Sequence, residues 1–62
     1  MRLKINIDTE NDAFSENLES ECARILKELA TWIEHNKLSG GDTPKWTYDI
    51  NGNRVGKMIV QD

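Results

Sequence analysis

The sequence predicts an α+β fold. It is a single βαββ minidomain, a three-stranded antiparallel sheet of order 1-3-2 covered on one face by one amphipathic helix. Three observations predict it. Residues 2–8, RLKINID, alternate apolar and polar. At roughly 100° per residue, Leu18, Cys22, Ile25, Leu26, Leu29, Trp32 and Ile33 fall within an arc of about 120°. Asn51-Gly52, a strong hairpin signal, separates two further apolar runs. The 62 residues then form one domain over 1–62, with a strand at 2–8, a helix at 17–37, a linker at 38–44 and a hairpin at 45–60.

Each element has its own local cause. A period of two makes residues 2–8 a strand with Leu3, Ile5 and Ile7 on one face and Arg2, Lys4, Asn6 and Asp8 on the other. Residues 9–16, TENDAFSE, read as a connection in which Asn11-Asp12 turns the chain and Phe14 plugs one end of the core. Asn17 is the expected N-cap, with Ser15 the alternative. Glu19 and Glu21 then lie in the first turn, where negative charge meets the positive end of the helix dipole. Arg24, Lys27, Glu28, Thr31 and His35 fall on the side away from the apolar stripe. Lys37 and the glycines at 40 and 41 are a stop signal. Pro44 holds Thr43 extended and leads into the hairpin.

Two hairpin registers are open. A two-residue turn sets Val55 opposite Tyr48. A three-residue turn sets Gly56 there and Met58 opposite Trp46. The second gives the better apolar face, Trp46, Tyr48, Ile50, Met58 and Val60, against Thr47 and Asp49, and a one-residue slip exchanges the faces. A right-handed crossover through the helix places the third strand between the other two. The first and second strands are then open edges, which template pairing with another chain.

Composition narrows function. A chain this short hides only about 60% of the surface its unfolded state exposes, so self-association would help it. One cysteine, Cys22, and one histidine, His35, supply neither an internal disulfide nor an ordinary zinc ligand set. Cys22 reads as a small core residue. No cofactor, general acid–base pair or nucleophile is visible, so no enzymatic activity is expected. The net charge of −3 suits a basic partner and argues against direct nucleic-acid binding. No apolar run approaches a membrane span or a signal-peptide core, so a cytoplasmic location is expected.

Two sets of residues are candidates for partner binding. Ala23 and Ala30 stand seven apart beside Leu26, with Trp32 nearby, where small side chains let another helix, or a second copy of the chain, approach. Asp8, Glu10, Asp12, Glu16 and Glu19 form an acidic run that could imitate nucleic-acid phosphates and block a basic partner. Counted from Asp8 they occupy positions 1, 3, 5, 9 and 12, as calcium ligands do in an EF-hand loop. Ala13 stands where that loop needs glycine and a strand precedes it, so calcium is a remote alternative.

The segments DAFSEN, ECARILKELATWIE and YDINGNRVGKMIV together resemble a group of short, mostly uncharacterised bacteriophage and prophage βαββ proteins. In these a D-x-A-F turn leads to an A-R-I-L-x-x-L-A helix and a D-x-N-G-N-x-V-G hairpin. The resemblance covers nearly the whole chain. It departs at Leu18 and Cys22, where proline and valine are expected, which marks the helix start less sharply. It implies a bacterial host cell and an accessory protein that binds a host or phage protein, host-defence machinery included. Its motifs are structural and bring no activity with them.

Overall fold

The computed structural model describes residues 1–36, 38 and 43–61. The helix end expected at Lys37 and most of the expected linker lie outside these residues. In chain order the elements are β1 (Arg2–Ile7), α1 (Asp12–Ser15), α2 (Leu18–His35), β2 (Lys45–Tyr48) and β3 (Arg54–Gln61). The sheet order is β1-β3-β2, with β3 antiparallel to both neighbours. This is the α+β arrangement that the sequence predicts, with β1 and β2 as edges.

Leu3, Ile5 and Ile7 lie opposite Val60, Met58 and Gly56. Residues directly opposite one another share a face, so these six define the face turned toward the helix. Arg2, Lys4 and Asn6, opposite Gln61, Ile59 and Lys57, lie on the other face. Gly56 is required by this pairing. A Cβ there would run into the Asn6 carbonyl oxygen and lie 3.0 Å from Ile7 Cα.

The hairpin overturns the expected apolar face. Lys45, Trp46 and Thr47 lie opposite Met58, Lys57 and Gly56, the register of the shorter turn, and an irregularity then sets Tyr48 opposite Arg54. Val55 is the extra residue of a bulge. Thr47 and Asp49 are buried, while Tyr48 and Ile50 are exposed and Trp46 shares a face with Lys57. The bulge keeps Val55 in the core and carries Arg54 to the opposite face, where its guanidinium lies 4.2 Å from the centre of the Trp46 ring. The turn spans Asp49 to Asn53. Gly52 donates to the Asp49 carbonyl at 3.0 Å and takes φ +85°, which glycine tolerates without a Cβ clash.

Residues 9–16 contain more structure than the expected connection. Asn11 Oδ1 accepts from Ala13 N–H at 3.0 Å and starts the single turn of α1. That turn buries Phe14, as expected. Asn17 stands at the N-cap of α2 but makes no side-chain cap bond; its carbonyl accepts from Glu21 N–H at 2.9 Å.

The core is Phe14, Ile25, Leu29, Val55 and Met58, with Ile7, Ala13, Cys22, Trp32 and Ile33 packed against it. Leu18 and Leu26, expected in the buried stripe, are exposed. Leu18 points with Ile25 and Leu29 but is the first residue of α2, at the end of the helix. For Leu26 the physical reason is the position of α2. One flank is tied to the β2 side: Arg24 donates to the Tyr48 carbonyl at 3.1 Å, Glu21 accepts from Ile50 N–H at 3.2 Å, and Lys45 Nζ sits 5.7 Å from the Trp32 ring centre. The other flank, with Leu26, lies away from the β2 side and is exposed.

Candidate binding surfaces

A buried polar clasp sets where the surfaces lie. Asp49 Oδ1 accepts from Asn51 N–H at 2.9 Å and Asn53 N–H at 2.8 Å, while Oδ2 accepts from Asn53 Nδ2 at 3.1 Å and Asn11 Nδ2 at 2.7 Å. One carboxylate thus holds the hairpin turn closed and ties it to α1. Burial alone would raise the Asp49 pKa, but the hydrogen bonds from Asn53, Asn11 and Asn51 outweigh it and hold the carboxyl below its ordinary value. Glu21, also buried, receives Arg24 through Nε at 2.8 Å and Nη2 at 3.2 Å. The Arg24 bonds lower its pKa, with help from Ile50 N–H, against the opposing effect of burial. Arg24 also reaches Glu28 at 2.9 Å. Glu21 lies in the first turn of α2 as expected and in addition anchors the hairpin, whereas Asp49, expected on the face away from the apolar set, is a buried anchor.

The first surface is apolar. Leu3 and Ile5 lie on the core face of β1, yet remain 47% and 39% exposed, and Leu18 and Leu26 of α2 are 46% and 47% exposed. At 100° per residue Ala23 and Ala30 lie beyond Leu26 on the same flank, and both are exposed. Trp32 does not belong with them. It lies on the opposite flank, half-buried against the core and beneath Lys45.

The second surface is an open groove of about 380 Å³ between the C-terminal half of α2 and β2. Ile25 and Leu29 contribute apolar lining, and Glu28, Trp32, His35 and Thr47 also border it. Thr47 Oγ1 is buried and, among the described residues, lacks a hydrogen-bond partner.

The acidic run is dispersed. Asp8 and Glu10 line a cleft with Asn11, Arg54 and Val55, and Asp8 Oδ1 accepts from Glu10 N–H at 3.0 Å. Asp12 is in α1, Glu16 caps its C-terminus and Glu19 is in the first turn of α2. All five are exposed. Among the described residues no three His, Cys, Asp or Glu side chains are placed to hold a metal ion, so the calcium geometry suggested by the spacing does not form.

These features define a class: a three-stranded α+β module with one main helix, open sheet edges and an incompletely covered core. Among the described residues no helix is long and apolar enough to cross a membrane. No family model, curated protein or solved structure matches the chain.

Proposed function

We propose that this chain is a small phage-type accessory protein that acts by protein–protein binding, engaging its partner through the β1 side. One observation carries the reading: Leu3 and Ile5 face the core layer but are left half-exposed, and Leu26 of α2 is exposed to a similar degree. Core-facing apolar residues that their own chain does not cover favour a cover supplied by another chain. The adjacent β1 edge offers unpaired backbone groups for strand addition. The small core makes a second copy one natural cover, and a host protein, as the phage resemblance implies, another.

Leu26→Glu and Ile5→Lys test it. Both altered side chains are substantially exposed, and circular dichroism checks that each variant keeps the fold. Light scattering at micromolar concentration reads self-association, and affinity capture from bacterial lysate reads other partners, compared between wild type and variants. Loss of the dimer, or of specific captured proteins, in both variants supports the reading. A monomer whose captured proteins are the same with and without the substitutions overturns it. The acidic run supports a second reading, a nucleic-acid mimic that occupies a basic partner. Capture through it would collapse between low and high salt, whereas apolar capture would persist.

A further inference from the structure

The fold separates the charges that composition averages. No Asp or Glu occurs within β1, β2 or β3, whereas these strands hold Arg2, Lys4, Lys45, Arg54 and Lys57. Lys45 turns to the helix side, over Trp32. The other four lie on the face that α2 leaves open. Arg2, Lys4 and Asn6 stand beside Gln61, Ile59 and Lys57, and Lys57 stands beside Trp46. Trp46 lies under two of the cations, with Arg54 Cζ at 4.2 Å and Lys57 Nζ at 5.9 Å from its ring centre. Tyr48, on the same strand face and opposite Arg54, is 45% exposed.

We infer that this open face binds single-stranded nucleic acid, independently of the β1 surface. Cations that track phosphates, set around aromatic rings on which bases stack, are the recognition chemistry of such surfaces. Bases also stack on arginine guanidinium planes, and the Arg54–Trp46 stack presents one. The acids do not cancel this field. Asp12, Glu19, Glu21, Glu28 and Glu34 belong to α1 and α2, behind the sheet, and charges more than about 8 Å apart are largely screened at physiological salt. Among the described residues, Asp8 and Glu10 share a cleft with Arg54 at one corner of the face. The strand therefore runs from Trp46 and Lys57 toward Lys4 and Arg2, away from that corner. The stacking platform of Trp46 and Arg54 serves unpaired bases, whose faces a duplex keeps within its own stack, so a single strand is favoured over double-stranded DNA. An acidic protein would satisfy the cations but gain nothing from the stacked rings.

The test uses the full chain with fluorescent 20-nucleotide oligothymidine and oligouridine, read by anisotropy. Trp46 emission is followed in a Trp32→Phe background, which leaves Trp46 as the sole tryptophan. Binding of either oligomer is expected at low salt, weakening about 20- to 50-fold between 50 and 200 mM salt for three or four neutralised phosphates. Trp46 emission should be quenched as it binds. Lys57→Glu and Lys4→Glu should each weaken binding at least about tenfold with an unchanged circular dichroism spectrum. Trp46→Leu should cost about five- to a hundredfold. Leu26→Glu, on the other side of the sheet, should leave it unaltered. The proposal is overturned by no binding at low salt, by binding that Lys4→Glu and Lys57→Glu do not weaken, by unaltered Trp46 emission, or by polyglutamate competing as well as the oligonucleotides.

Discussion

Asp49 is one residue whose replacement should be felt in three elements. Its two oxygens receive four hydrogen bonds, from the hairpin turn and from Asn11 at the start of α1. Asp49→Asn places an amide where the turn N–H groups donate and should lower the midpoint of thermal unfolding. The carboxyls of Asp49 and Glu21 both titrate below their ordinary values of 3.8 and 4.5 in the folded chain. The unfolded chain therefore takes up their protons first. Their contribution to stability is complete above the ordinary values and is lost as pH falls through the lower folded ones. Urea midpoints should be level from about pH 6 to 5 and fall steeply below about pH 4. Glu21→Gln and Asp49→Asn should each flatten part of that fall, and an unaltered profile in both would refute the assignment.

Thr47 and Gly56, opposite one another on the core face, give two further single-residue tests. Thr47→Val removes a buried hydroxyl that lacks a partner and keeps the shape, so it should stabilise the protein by about 1–2 kcal/mol in urea denaturation. Gly56→Ala forces a methyl group into the β1 backbone and should destabilise it by about 1–3 kcal/mol or more.

At the scale of elements, the placement of α2 separates two adjacent residues. Ile25 is 1% exposed in the core and Leu26 is 47% exposed. Ile25→Ala should cost about 2–5 kcal/mol, as a core truncation that leaves a cavity. Leu26→Ala should cost well under half as much by the same measurement. Equal losses would mean that α2 sits squarely over the sheet. The bulge at Val55 acts at this scale too, since it sends one residue of β3 to the core and its neighbour Arg54 to Trp46.

At the scale of the whole molecule, the layers have different chemistry. The helices α1 and α2 carry Asp12, Glu19, Glu21, Glu28 and Glu34, the open sheet face carries four of the strand cations, and a half-exposed apolar strip, Leu3 and Ile5, lies on the core face of β1. The net charge of −3 describes none of these surfaces. Association through the strip should tolerate salt, whereas any partner held on the sheet face should be released by it. Sedimentation of the free chain at 50 and 500 mM salt reads the first, and the oligonucleotide titration reads the second.

The sequence by itself determined the order of elements, a strand within residues 2–8, the amphipathic helix, the hairpin position and the burial of Phe14. These follow from the period of apolar residues and from turn chemistry, which act over a few neighbouring residues. Only the tertiary structure decided which face of the hairpin is buried. Trp46, Tyr48 and Ile50 are the more apolar set, yet Asp49 goes inward, because four distant or turn donors converge on it and the Val55 bulge shifts the register above Thr47. It also decided that Leu26 is uncovered. This depends on the lateral position of α2 over the sheet, which is tied by long-range bonds of Arg24 and Glu21 to the hairpin that no local pattern encodes. The separation of Trp32 from Ala23 and Ala30, by contrast, follows from helical spacing at about 100° per residue.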